Sequence, residues 1–130
     1  MSAIVQVVIT RQSDIAEASY AARDLALGAG FDKTGSYQIA TAAAELACNV
    51  LLHGGGGIME MRQLEARPGI ELLAIDAGPG IADIALAMRE GYSSIGSLGC
   101  GLPGVARMMD TLAFDTIAGQ GTSVRACKWR

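Results

Sequence analysis

The sequence predicts an α+β fold, a two-layer sandwich with helices on one face of a mixed, mostly antiparallel sheet. Three observations carry that expectation. Apolar strand-like segments fall into pairs joined by tight-turn signals, Arg67-Pro68-Gly69 and Gly119-Gln120-Gly121, the signature of hairpins. Two helical patterns precede the first pair and a third separates the pairs, so the order is helix, helix, hairpin, loop, helix, hairpin, without the strict alternation of a doubly wound sheet. Finally, 130 residues at 51% hydrophobic content, with only two Phe and one Trp, suffice for one core of small aliphatic side chains. The chain is therefore expected to be a single domain over residues 1–130.

Taken in order, Ile4 to Thr10 alternates well enough for a strand, and Ser13 with Asp14 supplies a helix start before Ile15 to Leu27. A second helix is expected from about Thr34 to Ser36 and runs to the glycines at 54–57, which stop it. Strands follow at Ile58 to Leu64 and Ile70 to Ile75. Asp76-Ala77-Gly78-Pro79-Gly80 breaks the chain at the second strand's end, a short helix is expected over Ala82 to Met88, and Glu90 to Gly101 reads as a polar glycine-rich loop. Leu102-Pro103-Gly104 opens a helix to about Asp110, with the proline near the first turn, where its missing N–H costs nothing. Leu112 to Ile117 and Thr122 to Lys128 form the closing hairpin.

Charge excludes some partners. Ten Lys plus Arg against 13 Asp plus Glu leave a net charge of −3, and no basic run is present to neutralise several phosphates, so nucleic-acid binding is not expected. No apolar run reaches 18 residues and the start lacks a signal peptide's charged n-region, so no membrane association and a cytoplasmic location are expected. Cys48, Cys100 and Cys127 have no CxxC spacing, and a single His leaves no zinc set; the three are expected to be free thiols.

The chemistry concentrates in three motifs. On the second helix, Glu45-Leu-Ala-Cys-Asn49-Val-Leu-Leu-His53 places a carboxylate, an amide and an imidazole at four-residue intervals, on one face. Such a stripe can simply be a solvated face. Here it interrupts a helix that is apolar nearly all round, and unpartnered buried Glu and Asn cost several kcal/mol, so the pattern asks for a ligand, a metal or a hydrogen-bonding neighbour. Acid beside amide suits Mg²⁺ held next to a general base. Asp76 ends an apolar strand ahead of Gly78 and Gly80; it is either a turn cap or an acceptor for an exocyclic amine such as adenine N6, with the glycines letting backbone approach the ring. Gly99-Cys100-Gly101-Leu102-Pro103-Gly104 fits the dinucleotide fingerprint G-x-G-x-x-G, but it follows a loop where that fingerprint follows the first strand of a βαβ unit. Its physical content survives: glycines ahead of a helix N-terminus present backbone N–H groups to phosphate.

In this order, Glu45-x3-Asn49-x3-His53, Asp76-x-Gly78-x-Gly80, Gly99-x-Gly101-x-x-Gly104 and Gly121-Thr122 resemble the N, G1, G2 and threonine boxes of the GHKL (Bergerat-fold) ATPases, over about residues 10 to 130. Within that superfamily, Ala44 to Asn49, Asp76 to Ile81 and Gly91 to Val105 are similar to the small serine/threonine kinases of bacterial partner-switching pathways, in particular the RsbT-type stressosome switch kinases. The resemblance implies a Bergerat fold and an ATP- and Mg²⁺-dependent protein kinase. Glu45 would be the general base, Asn49 the Mg²⁺ ligand, and Asp76 the acceptor for the adenine amine, with Thr122 supporting it through a water. Gly99, Gly101 and Gly104 would cradle the phosphates, and Leu102, Gly78 and Gly80 complete the nucleotide-binding set. His53 is either a further nucleotide contact or a satisfied structural residue, and Arg23 on the first helix either a docking residue or a solvated charge.

The resemblance also implies partners: a STAS-domain protein (RsbS/RsbR-like) as phosphoacceptor and a PP2C-type phosphatase (RsbU-like) that the kinase binds and activates. The alternative is an anti-sigma factor and kinase of the RsbW/SpoIIAB type that sequesters a sigma factor. An ATP-binding scaffold without transfer activity is disfavoured by the intact Glu45 and Asn49, and a sensor histidine kinase by the absence of a histidine-bearing dimerisation domain.

Overall fold

The computed structural model describes residues 4–76, 101–117 and 121–130. The short helix expected at 82–88, most of the loop at 90–101, and Gly78, Gly80, Gly99 and Cys100 lie outside the described residues.

Strand β1 (Val5–Ile9) leads into helix α1 (Gln12–Gly28), and α2 (Lys33–Gly54) returns beside it. The start of α1 falls earlier than Ser13 suggests. Asp14 sits inside the first turn, where its Oδ2 accepts the N–H groups of Thr10 (3.0 Å) and Arg11 (3.1 Å), so it satisfies the donors that precede the helix. Those bonds, the Thr10 N–H first, hold its carboxyl below the usual carboxylate range. Asp32 caps α2 through Oδ1, which accepts the Gly35 N–H at 2.8 Å. At the far end Gly55 turns left-handed (φ 73°) and the Gly56 N–H takes the Val50 carbonyl at 3.0 Å, ending the helix.

Beyond α2, β2 (Gly57–Leu64) and β3 (Gly69–Asp76) form the expected hairpin; α3 (Leu102–Met108) precedes the hairpin of β4 (Thr111–Ile117) and β5 (Gly121–Trp129). The sheet runs β1-β2-β3-β5-β4 and each of its four described pairings is antiparallel, so the parallel component in the expectation of a mixed sheet is absent among the described strands. The reason is topological. The α1–α2 pair returns the chain to the same end of the sheet as a single long turn would, so β2 enters antiparallel to β1.

One face of the sheet meets the helices. Val7, Met59, Ala74 and Val124 lie opposite one another across four strands, and Met61, Leu72 and Ala126 form the next row; all are buried. From α1, Ala18, Ala22 and Ala26 recur every four residues with no exposure, and from α2 Ile39, Ala43, Leu46 and Val50 fill the same layer. The methyl-sized contacts bring α1 and α2 close enough for the Ser19 hydroxyl to donate to the Ala40 carbonyl at 3.0 Å. The opposite face carries polar ladders, among them Arg62 and Arg125 on either side of Glu71 (2.9 and 3.4 Å). Among the described residues no helix is long and apolar enough to cross a membrane.

Candidate functional site

Helix α2 carries the site because both of its lower turns have neighbours that the rest of the helix lacks. Glu45, Asn49 and His53 descend one face of it; the first two are half-buried and His53 is exposed in the last turn. Glu45 reaches the root of α3, where its Oε2 accepts the Gly101 N–H at 2.8 Å. Gly104, one turn along α3, stands against the same carboxylate: a Cβ there would lie 3.3 Å from Oε2 and 3.5 Å from Cδ and Oε1. The seat is thus a backbone donor and a bare Cα. Burial pushes the Glu45 carboxyl above its ordinary range, while the Gly101 hydrogen bond and the charge of Arg107 pull the other way. A carboxylate poised upward, within reach of a glycine-rich segment, has the electrostatics of a general base.

The second feature lies at the end of the same helix. Asp76, the last residue of β3, is paired with Gly57 on one side and Thr122 on the other. It is half-buried, and Thr122 is buried. The backbone around it is crowded: a Cβ on Gly57 would collide with the Ile75 carbonyl and come within 2.9 Å of Val50 Cγ1. Gly54, the last residue of α2, faces the Asp76 side chain itself. A Cβ there would fall on the Asp76 Cβ, 2.5 Å from its Cγ and 2.9 Å from Oδ1. Two glycine cradles, one for each carboxylate, therefore flank the lower half of α2.

The structure brings Glu45 together with Gly101 and Gly104, and Asp76 with Thr122. Leu102 is 4% exposed and packs into the core, so any share it takes in a ligand site is through backbone or through the position of α3. The donor set on α2 consists of hard oxygens, from Glu45 and Asn49, which suits Mg²⁺, a cation that takes one or two protein oxygens and fills its remaining positions from phosphate and water. Three contributors escaped the sequence reading. Gly54 and Gly57 read as part of a helix stop. Arg107 was not singled out, although its place three residues after Gly104 puts it on the same side of α3.

The thiols differ from expectation. Cys127 is free and buried, but Cys48 takes part in a disulfide, so three free thiols do not hold. Sequence spacing carries no information on which sulfurs a fold brings within bonding geometry.

Residues 9–128 match the histidine kinase-like ATPase domain. The chain is also 41% identical over 123 residues to the serine/threonine-protein kinase RsbT of Bacillus subtilis (strain 168), across 93% of this chain and 92% of that protein.

Proposed function

The chain belongs to the histidine kinase-like ATPase domain family, and from that premise we propose that it is an ATP-dependent serine/threonine-protein kinase of a partner-switching pathway, acting on a hydroxyl of a small partner protein. The observation that carries the proposal is the seating of Glu45 at the root of α3, 2.8 Å from the Gly101 N–H. Its resemblance to RsbT, over nearly the whole of both chains, supplies the class of acceptor.

In this reading Glu45 takes the proton from the acceptor hydroxyl as that oxygen attacks the terminal phosphorus of ATP, the bond from that phosphorus to the bridging oxygen breaks, and ADP leaves with the electron pair. Phosphoryl transfer asks the protein mainly for positioning and charge stabilisation, and these come from the chain's own groups. The Gly101 N–H holds the Glu45 carboxylate in place, and the glycine backbone of this segment would cradle the phosphates. Asn49, one turn along α2 from Glu45, would hold Mg²⁺, which would supply neutralisation of the phosphate charge when bound. Asp76 accepts a hydrogen bond from the adenine amine, and Thr122, its partner on β5, supports it through a water. Gly78, Gly80 and Gly99 complete the binding surface; His53, exposed at the end of α2, touches the nucleotide only at its margin.

The partner is a STAS-domain protein in the cytoplasm, with a PP2C-type phosphatase as a second target, and the whole chain acts as one domain. Incubation with labelled ATP and Mg²⁺ beside STAS-domain, phosphatase and sigma-factor candidates, scored for transfer and co-elution, tests the reading. Label on a Ser or Thr of the STAS protein supports it; capture of the sigma factor without transfer to any STAS protein overturns it. Nucleotide choice provides an independent check. Guanine sets a carbonyl against the Asp76 carboxylate, so ATP should be preferred over GTP by at least ~10²-fold. Asp76→Ala should lose most ATP affinity while circular dichroism stays unchanged. Equal affinities of the wild type for both nucleotides, by calorimetric titration, would refute the assignment.

A further inference from the structure

Of the four consecutive glycines at 54–57, the first three close α2, and the structure gives them two different reasons. Gly55 and Gly56 have positive φ, 73° and 118°, which other residues adopt only with strain. Around Gly55 there is open space, so conformation alone explains it. Gly54 is the reverse. It is helical, its φ is not positive, and alanine is favoured over glycine inside a helix, so neither backbone conformation nor propensity calls for glycine. What does call for it is one neighbour: the three nearest atoms to the missing Cβ all belong to the Asp76 side chain, with Cγ at 2.5 Å and Oδ1 at 2.9 Å.

We propose that Gly54 is a specificity-determining positioning residue, whose missing side chain is the space that holds the Asp76 carboxylate in its nucleotide-reading orientation. The inference rests on the adenine-binding role given to Asp76 above. The backbone of Asp76 is held on both sides by Gly57 and Thr122, which fixes the place of its Cβ. The bare Cα of Gly54 lets the end of α2 lie directly against that Cβ and the carboxyl group beyond it. A methyl group at position 54 removes that room. Rotation of the Asp76 side chain cannot relieve a contact with its own Cβ, so the ends of α2 and β3 must part, the carboxylate moves with them, and a hydrogen bond to a flat amine is lost with a shift of about 1 Å.

Gly54→Ala, with Asp76→Gly and the double variant, tests this in the full chain. Gly54→Ala should lower ATP affinity by on the order of 10-fold or more and shrink the preference for ATP over GTP, because a displaced acceptor reads neither base. In the Asp76→Gly background, which removes the Cβ as well as the carboxylate, the same substitution should leave nucleotide affinity unchanged, since its effect passes through that side chain. Gly55→Ala, strained but facing open space, should lower thermal stability and keep the preference. Wild-type affinity and preference in Gly54→Ala, or an equal loss in both backgrounds, overturns the proposal. If Gly54→Ala alone does not fold, Asp76→Gly in that background should restore folding, and a double variant that stays unfolded overturns it. The carboxyl carbon resonance of Asp76, recorded without nucleotide, should shift in Gly54→Ala and not in Gly55→Ala. A wild type that binds neither nucleotide refutes the ATP reading, while an unmoved resonance refutes the positioning.

Discussion

Glu45 answers to opposing influences: burial raises its pKa, and the Gly101 N–H and Arg107 lower it. With burial dominant, the carboxyl of the folded protein titrates above its ordinary value, so the charged form needed to accept a proton is lost as pH falls through that raised value. The acid limb of kcat/KM should therefore lie above the usual carboxylate range and vanish in Glu45→Gln. That variant should bind Mg-ATP within a few fold of wild type while transfer falls by ~10²-fold or more, measured by single-turnover phosphorylation. Undiminished transfer in Glu45→Gln would remove the base. A different residue is mismatched with its surroundings: Ser36 is 1% exposed and its hydroxyl has no hydrogen-bond partner among the described residues. Ser36→Ala deletes an unsatisfied buried group at small loss of volume and should stabilise by up to about 1 kcal/mol in urea titrations; a destabilised variant would show that the hydroxyl is satisfied in solution. At this scale the sequence shows its carboxylates more readily than their supports. Glu45 and Asp76 stand out because charged groups in apolar runs are expensive. Gly54 and Arg107 do not, because a glycine after a helix and an arginine within one each have an ordinary explanation.

The elements were legible wherever their own residues decide them. Both hairpins follow from turn chemistry at 67–69 and 119–121, and the end of α2 from its glycines. The start of α1 was misplaced because Ser13 and Asp14 are both good capping residues, and only the bonds from Thr10 and Arg11 to Asp14 show that the helix starts at Gln12. Packing between α1 and α2 depends on small side chains more than on apolar ones. Ala22 is fully buried and continues the four-residue repeat of Ala18 and Ala26. Ala22→Leu is apolar and favours helix, so hydropathy alone predicts no harm; overpacking predicts a loss of about 1–3 kcal/mol. It should also separate α2 from the sheet enough to weaken nucleotide binding, because α2 carries Glu45 and ends against Asp76. A Tm equal to wild type would show that the helix pair can spread without cost.

Over the whole molecule, the fold class could be read from the order of elements, but the exclusively antiparallel pairing of the described strands could not. Strand direction depends on where the α1–α2 pair delivers the chain, which no local pattern records. The same arrangement has a consequence during biosynthesis. Val5 pairs with Met61 and Ile9 with Gly57, so β1 is made first but its partner appears roughly fifty residues later. At ~5–20 residues per second that delay is about 3–10 seconds. Throughout it, Val5-Gln-Val-Val-Ile9 is an apolar segment of high strand propensity and no charge, able to pair with the same segment of another nascent chain. Native structure leaves a trace of this exposure, since Val8 remains 56% exposed on the open side of the sheet. Val8→Lys should therefore leave Tm nearly unchanged, yet raise the yield of soluble protein when the chain is refolded at increasing concentration. Identical yields at every concentration would mean that the delay in finding β2 carries no aggregation hazard.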